Sequence, residues 1–375
     1  MNEGELLKLF RDIHAHPELG YNEYRTTQRI REILQAANVR ILESELETGL
    51  IAEIEGQKQG RIIGLRCDLD VLPLQEESGL PYASVIPGAM HACGHDFHAA
   101  TMVGAAWMLK QRETELAGRV KIIFQPAEEV GGGVRMVLAS GLLEDVDEFY
   151  GIHSYPQFES GTLGIREGAV MAAPDRFRII IHGRGSHAAT PSKGTDPIPA
   201  AASIVMAAQT IISRRTNPFS SAVVSVTHVE AGRTWNVMPE TALLEGTVRT
   251  LDARDRSDIR AALKQIALST ADAFGCSADF VWQEGAPAVV NDAELCSFAR
   301  ELAHSMGFNV ARQEDTMGGE DFSEYIQRRP GVFIRVGTGG GRPSHHPGFT
   351  VDPSALWPAA RYFAELALAR GRIIR

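Results

Sequence analysis

Four residues that can bind a transition-metal ion lie close together in the segment HACGHDFHAA: His91, Cys93, His95 and His98. The segment joins a glycine-containing turn to a predicted helix, so that Cys93 and His95, two positions apart, can face one ion. Thiolate and imidazole are ligands that zinc and related ions accept at about 2.0–2.3 Å. A loop cysteine between solvent-facing histidines would have the same pattern, so this segment alone does not decide between a metal site and a structural loop.

Other candidate ligands follow predicted strands. Asp68 and Asp70 come after the strand 61–65, Glu128 and Glu129 after the strand 120–124, and His153 ends an apolar segment. Because neighbouring residues at a strand end point to different sides, one glutamate can bind a metal ion while the other handles protons. An exposed acidic pair and a structural histidine are the ordinary alternatives, but three strand ends that carry ligand types favour a metal site.

Strands that alternate with helices would position these residues. Residues 1–37 predict two helices, strands are predicted at 49–55, 61–65 and 120–124, and a helix follows the loop 80–92. This alternation indicates an α/β fold. In open α/β sheets, binding sites form outside the carboxyl ends of the strands, which is where the polar residues collect here.

The pattern changes near residue 173. Strands at 177–182, 222–229, 242–250 and 278–282, with helices at 198–215 and 257–274, follow the order βαββαβ of a ferredoxin-like arrangement. A helix at 292–306, a strand at 332–336 and a helix at 354–369 then resume the α/β pattern. We therefore predict a catalytic α/β domain formed by 1–172 and 286–375, with an inserted α+β domain at 173–285.

Composition excludes several classes of protein. The chain has 375 residues, a hydrophobic fraction of 44% and a formal net charge of −10, which indicates a folded globular protein rather than a disordered one. The negative charge argues against nucleic acid or an anionic membrane as the main partner. Four scattered cysteines and a charged amino-terminal segment favour a cytoplasmic protein without disulfides.

Eight motifs in order resemble the M20 metallopeptidases, and in particular their amidohydrolase branch of aminoacylases, hippurate hydrolases and auxin-conjugate hydrolases. The motifs are HAHPELGYNEY, LRCDLDVLPL, MHACGHDFHAA, IFQPAEEVGGG, GIHSYP, GRGSHAATP, GEDFSEY and SHHPGF. The resemblance covers nearly the whole chain. It implies a two-metal catalytic domain and an inserted lid domain that often forms dimers.

Carried over to matching positions, the resemblance implies a full set of site residues. The metal ligands are Cys93, His95, Glu129, His153 and His345, the general base is Glu128, and Asp70 orients a ligand. His345 is preferred to His346 because relatives carry the ligand two residues before the proline, but the choice is open by one residue. Asp68 stands where other branches have a histidine ligand, so its role is open.

The same resemblance suggests residues for the substrate. His187 would stabilise the oxyanion, commonly from the partner subunit, while Asn236 and Arg249 would bind the carboxylate of the amino-acid product. Two divalent ions are expected in each subunit, with zinc, manganese, cobalt and nickel not distinguished. A homodimer or homotetramer would form through the lid.

Three functions remain as hypotheses. The leading one is hydrolysis of the amide bond of an N-acyl amino acid, for example an N-acetyl amino acid, or of a similar conjugate. A carboxypeptidase or dipeptidase would use the same residues on short peptides. A catalytically silent dimer that binds metal or ligand is the third, and Glu128 beside all five ligand types argues against it.

Overall fold

The computed structural model describes residues 1–373 and divides into two compact units. The first unit contains residues 1–168, 290–314 and 324–373, and the second contains Ala169–Val289 and Asp315–Ser323. This division follows contacts within the chain. The functional boundaries 1–172, 173–285 and 286–375 therefore stay predictions.

Helices and strands alternate along most of the chain. The helices are α1 (Glu3–Ala15), α2 (Tyr24–Ala36), α3 (His95–Gln111), α4 (Gly133–Ala139), α5 (Pro197–Arg214), α6 (Ala253–Ala273), α7 (Ala293–Ser305), α8 (Ser323–Ile326) and α9 (Leu356–Gly371). The strands are β1 (Arg40–Ile41), β2 (Leu50–Glu55), β3 (Lys58–Asp68), β4 (Ala117–Gln125), β5 (Glu148–Tyr155), β6 (Thr162–Gly164), β7 (Gly168–Met171), β8 (Ala173–His182), β9 (Ser186–His187), β10 (Ala222–Ala231), β11 (Val237–Met238), β12 (Thr241–Thr250), β13 (Ser277–Gln283), β14 (Val289–Asn291), β15 (Asn309–Ala311) and β16 (Gly331–Gly337). Within residues 1–373, no helix combines the length and apolar composition needed to span a membrane.

An eight-stranded sheet forms the centre of the first unit, in the order β1-β2-β4-β3-β5-β16-β6-β15. Strands β3, β4, β5 and β16 are mutually parallel, and their residues are mostly buried toward the carboxyl ends. Their carboxyl ends therefore meet at one edge of the sheet. The predicted site residues that follow these strands are brought to this edge, as the α/β pattern predicts.

Helix α3 begins at the predicted ligand His95 and is almost wholly buried, against α1, α9 and β3. Its apolar residues join one hydrophobic core with the strands of the sheet. Gly94 precedes the helix with φ of 85°, and a Cβ atom there would lie 2.3 Å from the Ser154 hydroxyl oxygen. Only glycine meets both conditions, so Gly94 lets the amino-terminal turn of α3 approach β5 closely.

The second unit contains the predicted βαββαβ order. Strands β10, β12, β8 and β13 pair in that order, all antiparallel, and α5 and α6 pack against the sheet. Along β8, Phe177, Ile179 and Ile181 alternate with more exposed residues and enter a core shared with both helices. This strand order confirms the ferredoxin-like topology that the βαββαβ order predicted.

The four cysteines are buried and free. The Cys67 thiol lies 3.6 Å from the Ile123 carbonyl oxygen inside the sheet, and burial raises its pKa well above the ordinary value. Cys67 therefore packs in the core. Cys276 and Cys296 also lie in hydrophobic cores, where burial raises the pKa of each thiol.

Candidate metal centre

The five predicted ligands converge in two overlapping groups at the carboxyl edge of the large sheet. Cys93, His95 and His153 form one group, and Cys93, Glu129 and His345 form the other. Within each group, the possible ligand atoms all lie within 4.8 Å of one another. Because Cys93 belongs to both groups, its sulfur is the atom that two neighbouring ions could share.

One ring nitrogen of His95 is fixed by a hydrogen bond, and the other faces the proposed metal site. Its Nδ1 donates to the Asp70 carbonyl oxygen at 2.8 Å, while Nε2 is buried and, among residues 1–373, makes no hydrogen bond. Glu129 Oε1, which lies 3.9 Å from that Nε2, is also buried without a hydrogen bond in the described chain. A pair of buried, unbonded ligand atoms is costly alone, and a cation would satisfy both.

Charge around His95 leads to the same conclusion. Burial disfavours its protonated form, but the charge of Asp68 and the hydrogen bond with Asp70 outweigh burial and raise the pKa well above 6.5. The negatively charged groups thus favour a positive charge at this buried position. That surplus of negative charge suits a divalent cation.

Cys93 and His153 lie side by side. The Cys93 sulfur is 3.4 Å from His153 Nε2, and His153 Nδ1 donates to the Ser154 carbonyl oxygen at 2.7 Å. Burial lowers the pKa of His153 well below its ordinary value, so the ring is neutral and Nε2, which contacts the Cys93 sulfur, can act as a ligand. Burial and the charge of Glu129 raise the pKa of Cys93 to about 12, so a thiolate there requires a bound cation.

His345, rather than His346, reaches this centre. His345 Nε2 lies 3.3 Å from Glu129 Oε1, while His346 Nδ1 accepts a hydrogen bond from the Gly348 amide at 2.9 Å. The His345 backbone has φ of 66° and donates to the Ala92 carbonyl oxygen, which fixes the ring toward Glu129. Burial opposes ionisation of Glu129, but the nearby His345 ring and the charge of His95 lower its pKa.

Asp70 holds the turn that carries both glutamates. Its Oδ1 accepts from the Glu128 amide at 3.0 Å and its Oδ2 accepts from the Glu129 amide at 2.9 Å. A carboxylate oxygen of Glu128 lies within 4.8 Å of ligand atoms of His95 and Glu129. The turn therefore points two adjacent carboxylates into one site.

Both carboxylate oxygens of Asp68 accept hydrogen bonds from neighbouring side chains. Its Oδ1 accepts from His98 Nδ1 at 2.6 Å, and its Oδ2 accepts from the buried Arg66 guanidinium at 2.7 Å. His98 Nε2 in turn accepts from the Ser154 amide at 2.6 Å, so this ring is neutral with its proton on Nδ1. Asp68, His95 and His98 also form a possible ligand group, but the Asp68 oxygens already accept two hydrogen bonds.

This support for the ligands is where sequence reasoning was incomplete. His98 was noted beside Cys93 and received no role, although its spacing of three from His95 places both on one face of α3. Ser154 donates its hydroxyl to the Cys93 carbonyl oxygen at 2.9 Å and was also missed. No sequence pattern linked Asp68, His98 and Ser154, since their contacts depend on the sheet register.

The three predicted substrate residues lie in the second unit. His187 is exposed on β9, which pairs with β11, and the adjacent Ala188 amide donates to the Asn236 carbonyl oxygen at 3.1 Å. The fold thus brings His187 and Asn236 together. Arg249 belongs to a different sheet, on β12, where Nε donates to Thr247 at 3.0 Å and burial lowers its pKa.

Comparison with known proteins agrees with this geometry. Residues 64–369 match the model of peptidase family M20/M25/M40. An N-acetylcysteine deacetylase of Bacillus subtilis (strain 168) is 44% identical over 97% of this chain and 96% of its own length. Thermostable carboxypeptidase 1 of Saccharolobus solfataricus is 34% identical over 98% of this chain and 95% of its own length.

A solved structure supports the same relationship. A dinuclear metal-binding peptidase of the M20 family from Bacillus subtilis has a TM-score of 0.91 and 42% identity, covering 99% of both chains. These findings confirm the resemblance predicted from the eight motifs. The chain belongs to peptidase family M20/M25/M40 and is a hydrolase of amide bonds.

Proposed function

We propose that the protein removes the acyl group from N-acyl amino acids, with N-acetyl amino acids as the first substrate class. The observation that carries the proposal is the convergence of Cys93, His95, Glu129, His153 and His345 beside a further carboxylate, Glu128. The relative named N-acetylcysteine deacetylase supports the choice of substrate class.

Two divalent ions would be held by Cys93, His95, Glu129, His153 and His345. The unbonded buried atoms of His95 and Glu129 fit such ions. When bound, two ions supply a Lewis acid for the amide carbonyl and lower the pKa of water toward neutrality. Thiolate, imidazole and carboxylate together accept zinc, manganese, cobalt or nickel, so the native metal depends on availability as well as on the ligands.

Glu128 would act as the general base. Its carboxylate takes the proton from the attacking water and passes it to the amide nitrogen, which leaves as the free amine of the amino acid. The Asp70 carboxylate accepts a hydrogen bond from the Glu128 backbone amide and so positions Glu128. The Asp70 carbonyl oxygen also accepts a hydrogen bond from the His95 ring. Asp70 thus fixes the position of the general base relative to that of a metal ligand.

The second unit would act as a lid and supply contacts to the substrate. We assign His187 to the developing oxyanion, and Asn236 and Arg249 to the substrate carboxylate, with His187 reaching the site of a partner subunit. This assignment requires a homodimer or homotetramer formed through the second unit. A cytoplasmic location completes the proposal.

Hydrolysis of short peptides is the second candidate, and the carboxypeptidase name of one relative favours it. The same ligands and the same base would serve, because an N-acyl amino acid and a dipeptide present the same amide bond beside a free carboxylate. The two candidates differ only in what lies on the acyl side of that bond. Product analysis therefore separates them.

The test is hydrolysis of N-acetyl amino acids, N-benzoyl amino acids and dipeptides by protein stripped of metal and reloaded with manganese or zinc. We expect the release of free amino acid from N-acetyl substrates, restored by metal and abolished in Glu128→Gln. Faster turnover of dipeptides would transfer the assignment to the peptidase. Binding of two ions with no turnover of any substrate would favour a silent metal-binding protein.

A further inference from the structure

A buried glutamate outside the metal centre contacts the turn that carries both site glutamates. Glu23 precedes α2 and is fully buried, and its Oε1 accepts a hydrogen bond from the Ala127 amide at 2.7 Å. The two residues are 104 positions apart in the chain. Burial raises the pKa of Glu23, and the contact needs only an acceptor oxygen, which either protonation state provides.

This contact completes an unusual arrangement of backbone donors. Three consecutive amides, those of Ala127, Glu128 and Glu129, donate to carboxylate oxygens of just two residues, Glu23 and Asp70. Asp70 restrains the second and third amides, and Glu23 restrains the first. Glu23 therefore anchors the point where the chain leaves β4 and enters the site.

The Ala127 backbone needs such an anchor. Its φ is 54°, in the left-handed region, where a residue with a Cβ atom is strained. A strained conformation persists only where surrounding contacts impose it, and it is found most often at functional sites. The hydrogen bond to Glu23 is the contact that fixes this amide.

The neighbouring residues support the same turn. Tyr21 donates its hydroxyl to the Gly131 carbonyl oxygen at 2.7 Å. A Cβ atom at Gly20 would lie 2.6 Å from the Val130 side chain and 3.4 Å from Ala127 Cα. The amino-terminal segment 20–23 is thus packed along the turn from Ala127 to Gly131, with Glu23 as its buried end.

We propose that Glu23 is a positioning residue for the general base: it fixes the left-handed Ala127 and thereby the direction of the Glu128 carboxylate. The inference rests on the proposed role of Glu128. Glu23 acts through the backbone, and its loss misplaces a carboxylate that must meet a reacting proton within hydrogen-bond distance.

The first experiment measures kcat, KM and metal content of the metal-loaded protein. Glu23→Ala should lower kcat about 10- to 100-fold with two ions still bound, because the ligands keep their other supports. Glu23→Gln keeps an acceptor oxygen and should retain most of the activity. Glu53→Ala is the matched control, since Glu53 is a buried carboxylate of the same unit that pairs with Arg40 and Arg119.

A second variant separates positioning from loss of stability. Ala127→Gly removes the strain of the left-handed backbone, so the double variant Glu23→Ala/Ala127→Gly should regain part of the lost kcat. Hydrogen exchange of the metal-free protein should still show a faster-exchanging Ala127 amide in both variants. Exchange at this amide does not depend on the substrate, so it tests the Glu23 contact even if the wild-type protein hydrolyses none of the panel.

Three results would overturn the inference. They are an unchanged kcat in Glu23→Ala, a fall in Glu53→Ala as large as that in Glu23→Ala, and a double variant no more active than Glu23→Ala. Unaltered exchange of the Ala127 amide in Glu23→Ala would remove its structural basis. Failure of Glu128→Gln to lower activity would instead overturn the role of the base itself.

Discussion

Three histidines near the metal centre of the first unit and two histidines of the second unit lie in opposite environments. In the first unit, His95, His98 and His153 are buried or nearly so, and each has Nδ1 fixed by a hydrogen bond to an oxygen atom. In the second unit, His182 and His228 are solvent-accessible and pair with surface carboxylates. A buried ring with one nitrogen fixed can present the other to an ion, whereas an exposed ring has no such constraint.

This difference separates His95, His98 and His153 from the histidines of the second unit. Both units contain histidine–carboxylate pairs at comparable distances, 2.6 Å for His98 with Asp68 and 2.8 Å for His182 with Asp279. Distance therefore does not separate them. Burial does, because removal of water leaves ligand atoms that only a cation or a hydrogen bond can satisfy.

Removal of a buried ligand should have the largest effect. We expect His95→Ala to lose at least one bound ion and to lower amide hydrolysis by about 10³-fold or more, since an ion stabilises the developing charge by several kcal/mol. Metal content by plasma mass spectrometry and turnover of an N-acetyl amino acid test this. His182→Ala, the exposed counterpart, should bind two ions as the wild type does, and equal losses in both variants would refute the comparison.

Substitution of the general base should have the next largest effect. Glu128→Gln should lower kcat about 10²- to 10⁴-fold while two ions stay bound, because a base contributes to the proton transfer and not to ligation. Glu129→Gln should lower metal content as well. Single-turnover kinetics with metal analysis of both variants distinguish the two glutamates, and loss of metal in Glu128→Gln would exchange their roles.

Asp68→Asn should weaken metal binding by about 10- to 100-fold. Asparagine offers one acceptor oxygen where Asp68 uses two, so its amide group faces either Arg66 or His98 Nδ1, both of which are donors. The misplaced His98 would then move Ser154, whose carbonyl oxygen orients His153.

Isothermal titration with cobalt, together with the thiolate–cobalt absorption band, measures the effect of Asp68→Asn. A weaker affinity with an altered band is expected. An affinity and spectrum equal to those of the wild type would show that Asp68 does not orient the ligands.

His14→Ala should reduce stability without removing a ligand. His14 is buried between Asp96 and Glu76, at 2.6 and 3.2 Å, and these carboxylates outweigh burial and raise its pKa to about 10. Removal of one partner of a buried ion pair costs about 3–5 kcal/mol of unfolding free energy.

The pH dependence of His14→Ala follows from the direction of the shift. Because the folded pKa lies above the unfolded value of 6.5, the stabilisation is fully present below pH 6.5 and is lost as pH rises through about 10. Urea denaturation across this range should show that the difference in unfolding free energy between wild type and variant decreases as the pH rises. A difference in unfolding free energy that increases toward pH 10 would contradict a charged His14.

Most of the fold could be predicted from the sequence. The order of strands and helices between residues 173 and 285 predicted the ferredoxin-like arrangement, and the polar residues after β3, β4 and β5 predicted the edge of the sheet that carries the site. Such features are local, because each depends on a few adjacent residues. Metal-ligand types at adjacent strand ends were also visible in the sequence.

The supports of the site could not be predicted because they join distant parts of the chain. Glu23 meets Ala127 across 104 positions and His98 meets Ser154 across 56, contacts that only the assembled sheet creates. The resemblance favoured His345 over His346 and left the choice open by one residue, and the structure favours His345 through a positive φ and the direction of each ring. Two adjacent histidines are indistinguishable by residue type.

We propose that two ions bind at the carboxyl edge of the large sheet, on either side of Cys93. Anomalous diffraction from crystals of the manganese- or zinc-loaded protein tests it most directly. We predict two peaks about 3.5–4 Å apart, one near His95 and His153 and the other near Glu129 and His345, with the Cys93 sulfur between them. A single peak, or peaks that exclude Cys93, would contradict the account.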